Sequence, residues 1–502
     1  MQKEDDGKRS PGRGLRVAVV ILAVISIAAS AVAAIARKQL VDERGRAERL
    51  AAELSRSEDR VTELEHQKSG ENEGNDPEPH PPADGDDNPF ADDFGGDIGA
   101  LLQCVGTDEA VSGKDTAEDA RAQVREISSV VERLRRLHFE HRVKVKFLTP
   151  TAVAEKAARI TLEDYPQKVA DAEGRMLGSL GAIPVGTDLR LMTKKLIESQ
   201  VAGFYVPSSD QLVVPGRPDR PLTPAQKVIL AHELTHAVAD GRLDFPLSEH
   251  PDPADLDEDL AALAVVEGDA TLLMQRYAVT RLSVFDQLSM TSDPAYDASQ
   301  EAIAKVPPYL VEQLTYPYVD GLNFTCELFA KGGWKAVNRA YAHPPTSTAQ
   351  VLFPDRYKSG EGARNPTRPS PPSGRWKEIW HSTFGAANLL WLFKAPGGDE
   401  GAALSALDDR VAAWAGGTVD AWSRGRETSL ALRLSERRGD DLCASVTEWY
   451  GATFDDDSET ETRPSESAAW TGATQSAVVT CPKTEVRVGV GPNLTTARQV
   501  VR

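Results

Sequence analysis

The chain is short of cysteine, short of histidine and short of positive charge, and each shortage narrows what it can be. Cys104, Cys326, Cys443 and Cys481 are its only cysteines, and none stand at Cys-x-x-Cys spacing, which excludes a cysteine-based structural zinc site. The formal net charge of −19 argues against a nucleic-acid surface and hence against a nucleic-acid partner. From Ser69 to Gly113 there is no Lys or Arg, while ten acidic residues accumulate between Glu71 and Asp97. No EF-hand spacing orders these acids, so calcium is not expected there. Interleaved with Pro77, Pro79, Pro81, Pro82 and Pro89, the stretch reads as an extended, solvated tether. No internal repeat is evident.

One long apolar run is present. Val17 to Ala36 is interrupted only by Ser26 and Ser30, and its twenty residues are enough to span a bilayer. Basic residues flank it on both sides, so their count does not orient it; a short N-terminal tail before a single anchor places the amino terminus in the cytoplasm. Ala34-Ile-Ala36 resembles a cleavage site, so a cleaved signal peptide is the rival to an uncleaved anchor. The expected layout is a cytoplasmic tail (1–16), a transmembrane anchor (17–36), a juxtamembrane helix or short coiled coil (37–68) and an acidic Pro-rich linker (69–97). A globular domain (98–450), an acidic spacer (451–468) and a C-terminal β-hairpin segment (469–502) follow. Leu50, Leu54, Val61 and Leu64 recur at heptad-like steps, which would allow self-association through the juxtamembrane helix. All four cysteines lie beyond the anchor, where two disulfides are compatible with the compartment. Three pairings exist; a tether for a short terminal element favours Cys443 with Cys481, leaving Cys104 with Cys326, and four buried thiols are the alternative.

The most informative stretch is Ala231-His232-Glu233-Leu234-Thr235-His236-Ala237. Four residues is just over one helical turn, so His232 and His236 share a face. Thr223-Pro224-Ala225-Gln226 signals a helix start, and Gly241 offers a stop. Two neutral imidazoles on one face suit Zn²⁺, and Glu233 between them can reach an activated water. A third ligand is required. Glu267, in the almost continuously apolar run Leu260–Met274, is the candidate, because a carboxylate there is costly unless a cation neutralises it. Asp269 close by keeps open the alternative that Glu267 lies on a solvated face. Asp240, one turn beyond His236, is a candidate partner for a ligand imidazole, and His250 and His343 are candidates for lining a cleft.

These residues resemble a known group. His232-Glu-Leu-Thr-His-Ala-Val-Ala-Asp240 is similar to the zinc helix of the thermolysin family, and Glu267-Gly-Asp-Ala270 to the third-ligand segment of aminopeptidase-N-like enzymes. Tyr316-Pro-Tyr318-Val-Asp-Gly321-Leu-Asn-Phe324 is similar to a stretch in which the latter enzymes carry an oxyanion-stabilising tyrosine. Both groups are gluzincins. Gly203-Phe-Tyr205, Gly332-Gly-Trp334 and Pro344-Pro-Thr-Ser-Thr348 add a likeness to a bacterial group of membrane-anchored gluzincins. The resemblance implies an α+β fold, mostly helical around the site, with a small antiparallel sheet. It implies zinc held by His232, His236 and Glu267, with Glu233 and Tyr318 catalytic. No Gly-x-Met-Glu-Asn-type motif is present, which points to an endopeptidase rather than amino-terminal trimming. By the same resemblance, the second strand of a hairpin at Gly203–Val214 would be a sheet edge that binds the backbone of a peptide substrate. The expectation is a membrane-anchored, extracytoplasmic zinc metallopeptidase. A non-catalytic cell-surface binding module and a zinc amidase acting on cell-wall material are the alternatives.

Overall fold

The computed structural model describes residues 104–106, 113, 116–201, 203–243, 245–246, 253–292, 294–437, 441–453, 459–460 and 462–502. The expected anchor, juxtamembrane helix and acidic linker lie outside them, as does His250. Among the described residues no helix is long and apolar enough to cross a membrane.

Helix α1 (Ala120–Arg135) is capped by Asp119, whose carboxylate accepts the Ala122 N–H. Val124, Ile127, Val131 and Leu134 recur at three and four residues and are buried, the pattern of a helix lying on a core. Strand β1 (Lys144–Leu148) follows, as its alternation predicts. Helices α2 (Pro150–Glu163), α3 (Gln167–Ser179) and α4 (Leu189–Gln200) then lead to a hairpin of β2 (Phe204–Val206) and β3 (Gln211–Pro215). β1 pairs with β3 in parallel and β2 pairs with β3 antiparallel, giving the order β1-β3-β2. The second hairpin strand is therefore the middle of the sheet. The expectation that it forms a peptide-binding edge is overturned, because β1, some sixty residues earlier, takes its free side.

The helical body comprises α5 (Pro224–Arg242), α6 (Leu256–Arg281), α7 (Val284–Ser289), α8 (Pro294–Ile303), α9 (Pro308–Ala342), α10 (Thr348–Leu352) and α11 (Pro354–Ser359). α9 breaks direction at Gly333, whose φ of 58° lies in the left-handed region, so the Gly-Gly-Trp segment is a kink inside a helix rather than a loop. The C-terminal part holds β4 (Lys377–Thr383), α12 (Ala386–Lys394), α13 (Leu407–Ala412), β5 (Trp414–Arg424), β6 (Glu427–Glu436), α14 (Leu442–Ala452), β7 (Glu459–Thr460), β8 (Ala468–Thr471), β9 (Ser476–Thr480), β10 (Glu485–Gly491) and α15 (Leu494–Val500). Its strands form one seven-stranded antiparallel sheet, β4-β5-β6-β10-β9-β8-β7.

The fold is α+β. Its sheet content differs from the single small antiparallel sheet expected, being one three-stranded mixed sheet and one of seven strands. The terminal hairpin β9–β10 exists, but β10 continues the ladder onto β6, and a pairing over that sequence distance leaves no local signal. Disulfides join Cys104 to Cys326 and Cys443 to Cys481, the pairing that the tether argument favoured.

Candidate metal centre

The centre begins with α5. Thr223 accepts the Gln226 N–H at 3.2 Å while Gln226 Oε1 accepts the Thr223 N–H at 3.0 Å, a reciprocal cap that starts the helix where the sequence signals it. The predicted stop at Gly241 is not used. The helix runs to Arg242 and ends as Leu243 turns extended, with its N–H still bonded to the Ala239 carbonyl. His232 and His236 project from one face with their Nε2 atoms 2.9 Å apart.

Glu267, on α6, brings Oε2 to 3.1 Å from His232 Nε2 and 3.4 Å from His236 Nε2. All three side chains are fully buried. Donor atoms bound at about 2.0–2.1 Å in a tetrahedral site lie about 3.3 Å from one another, so this set is close to ligating geometry. Glu267 Oε1 and both Nδ1 atoms have no partner among the described residues, an unusual state for buried polar groups. The group could hold a metal ion. Burial pushes the Glu267 carboxyl up, but the imidazoles of His236 and His232 together outweigh it and hold it down at about 2. The carboxylate is thus held in its charged form by the imidazoles beside it.

Glu233 is buried beside them. Its Oε2 accepts the Tyr205 N–H from β2 at 2.9 Å, and its Oε1 is uncommitted. Burial, aided by the Glu267 charge, pushes this carboxyl up to about 8, against the pull of His236 and the Tyr205 N–H. Tyr318, on α9, packs its ring 6.1 Å from that of His232, and its buried hydroxyl has no partner among the described residues. Burial holds that phenol well above its ordinary range, with the charges of Glu267 and Glu233 adding to the effect.

What brings α9 this close is a glycine pair. A Cβ on Gly268 would lie 2.1 Å from the Gly321 carbonyl oxygen, and one on Gly321 would lie 2.4 Å from that of Ala264. The helices cross backbone to backbone one residue after Glu267 and three after Tyr318. Both glycines sit inside the quoted motifs, and close approach is their physical role.

Other candidates fare differently. Asp240 does not orient a ligand imidazole, since neither Nδ1 atom has a partner among the described residues; it accepts the Tyr205 hydroxyl at 3.1 Å. His343 is exposed at the C-cap of α9. The solvated-face reading of Glu267 is overturned, because Glu267 and the neighbouring Asp269 are both 0 % exposed. Asp269 is engaged by Arg135 Nε at 2.8 and 3.1 Å and by the Tyr341 hydroxyl at 2.8 Å. Arg135 also donates to Asn338 at 2.7 Å and lies over the Trp334 ring. Sequence reasoning missed Arg135 and the part that Tyr205 plays beside Glu233. The signal for Arg135 was available, since it falls four residues after Val131 on the buried stripe of α1. Tyr205 was quoted in the Gly203-Phe-Tyr205 segment, but nothing there marks it as a partner of Glu233, because that contact joins a strand to a helix.

No protein-family model, curated protein or solved structure matches the chain at a significant level.

Proposed function

We propose that this protein is a zinc-dependent peptide hydrolase of gluzincin type, an endopeptidase held to the membrane by residues 17–36 with its hydrolytic region outside the cytoplasm. One observation carries the reading: three buried donors, from His232, His236 and Glu267, converge within 3.4 Å, with uncommitted polar atoms of Glu233 and Tyr318 beside them. His232, His236 and Glu267 would hold the zinc, which when bound supplies a Lewis acid that activates water and polarises the scissile carbonyl. Glu233 divides its labour. The Tyr205 N–H pins one oxygen, leaving the other, in the ionised form that a bound cation would favour, to take a proton from water and pass it to the leaving amine. The Tyr318 hydroxyl donates to the oxygen on which charge develops.

The test is hydrolysis of fluorogenic peptides blocked at both ends, by zinc-replete protein beside its Glu233→Gln variant. The variant should keep one zinc per chain and lose at least about 100-fold in turnover. Unchanged turnover would reject Glu233 as the base, and cleavage of cell-wall fragments alone would move the reading to a zinc amidase.

A second reading has an observation of its own. His232, Glu233, His236, Glu267 and Tyr318 are each 1 % exposed or less, as in a structural metal site of a non-catalytic surface module. In that case zinc would raise the melting temperature of the parent and of Glu233→Gln alike, and neither would cleave any peptide.

A further inference from the structure

The three-stranded sheet has a second edge, remote from the centre. β2 faces Glu233, whereas β1 lies beyond β3 on the other side, two strand spacings or roughly 10 Å away. The Lys144 N–H bonds to the Asp210 carbonyl at 3.0 Å, and the Leu148 carbonyl accepts the Gly216 N–H at 2.8 Å. In a parallel pair alternate residues face the same neighbour, so Lys144, Lys146 and Leu148 serve β3. The N–H and C=O groups of Val145 and Phe147 point the other way, where no described strand pairs.

Beside that edge runs α1. Arg121, Val124, Arg125, Ser128, Ser129 and Glu132 recur at three and four residues and line one wall of a groove of about 570 Å³, with Arg142, Lys144, Val145 and Phe147 on the other. The groove is strongly cationic. Arg121, Arg125, Arg142 and Lys144 are exposed, and no described carboxylate pairs with any of the three arginines. The one acid in the wall, Glu132, accepts the Phe139 N–H at 2.9 Å and so serves the turn after α1. In a chain of net charge −19, a groove with four cations, one acid and an unpaired strand edge is set apart from its surroundings.

We propose that this groove captures an extended acidic segment of a second polypeptide, which adds to β1 as a fourth strand. The main-chain groups of Val145 and Phe147 supply the ladder, and the arginines and Lys144 answer the carboxylates. The chain's own acidic stretch, 69–97, is a poorer fit, because Pro77, Pro79, Pro81, Pro82 and Pro89 lack the N–H that a paired strand needs. The inference does not depend on hydrolysis, and binding without turnover tests it separately.

The experiment is fluorescence anisotropy of the full chain with a labelled, blocked peptide of about eight residues alternating Glu and Thr. The acidic peptide should bind, weaken with added salt, and outcompete its Lys/Thr counterpart. Arg121→Glu combined with Arg125→Glu should weaken binding about tenfold. Val145→Pro removes an N–H that the fold does not use, at an edge where proline is tolerated, and should weaken binding about fivefold. Equal binding of the two peptides, or affinity untouched by both sets of substitutions in variants that melt with the parent, would overturn the proposal. Tighter binding of oligothymidylate would assign the groove to a nucleic acid instead. A tenfold gain on deleting 69–97 would assign it to the chain's own acidic stretch.

Discussion

Glu267 and Asp269 stand two residues apart on α6, both fully buried, and what faces each is entirely different. A step of two residues on a helix turns the side chain to the far face. Asp269 meets a permanent cation, Arg135, and a phenol, Tyr341. Glu267 meets two imidazoles that can shed a proton, and keeps an oxygen without a partner among the described residues. Asp257, at the start of the same helix, meets only neutral donors, the N–H and hydroxyl of Thr348. Three buried carboxylates on one helix thus have three kinds of answer. The one answered by a fixed charge braces the packing of three helices, and the one answered by exchangeable protons belongs to the group that could hold a metal ion.

The comparison is most easily broken at Arg135. Arg135→Leu leaves Asp269 charged and unpaired, and should cost about 3–5 kcal/mol in urea unfolding. A loss below 1 kcal/mol, on the order of an exposed pair, would remove the network from the fold's support. Next comes the crossing that sets Tyr318 against His232. Gly268→Ala puts a methyl group against the Gly321 carbonyl and should cost about 1–3 kcal/mol, with a fall in peptide turnover as α9 shifts. Full activity and unchanged stability there would mean that the helices yield without moving the site.

Asp257 sharpens the contrast through pH. Burial pushes its carboxyl up to about 6 from 3.8, against the two Thr348 hydrogen bonds. The protonated form is favoured on folding, so this contribution is complete below 3.8 and is lost as pH rises through about 6. The melting temperature of the parent should therefore fall relative to that of Asp257→Asn across that window, and a constant difference would contradict the assignment. The smallest effect on the metal-free fold belongs to Glu267. Glu267→Ala should change metal-free stability by less than about 1 kcal/mol, since His236 can deprotonate where Arg135 cannot. Elemental analysis of the same variant should show zinc lost, and zinc should raise the melting temperature of the parent alone. Equal zinc in both would mean that Glu267 is not a ligand.

Much of the centre was legible because its signals are local. The capping box at Thr223, the helical spacing of His232 and His236, and the strand alternation around Val145 each depend on residues a few positions apart. Glu267 was readable by cost, as an acid in an apolar run. Burial cost alone applies equally to Asp269, and it is the resemblance of Glu267-Gly-Asp-Ala270 to a third-ligand segment that singles out Glu267. Arg135 and Tyr341 lie 134 and 72 residues from Asp269, and only packing selects which acid they answer.

By itself the sequence determined an α5 helix with two imidazoles on one face, a carboxylate between them, and a second helix too apolar to bear unanswered acids, because helical periodicity and the cost of burying charge act over one or two turns. Tertiary structure alone decided that Asp269 is answered by Arg135 and Tyr341, and that the backbones of α6 and α9 meet at Gly268 and Gly321. It also decided that β3 lies inside its sheet while β1 is left with an open edge. Each of these depends on which distant surfaces meet, and a segment's own periodicity says which face is apolar without saying what will cover it.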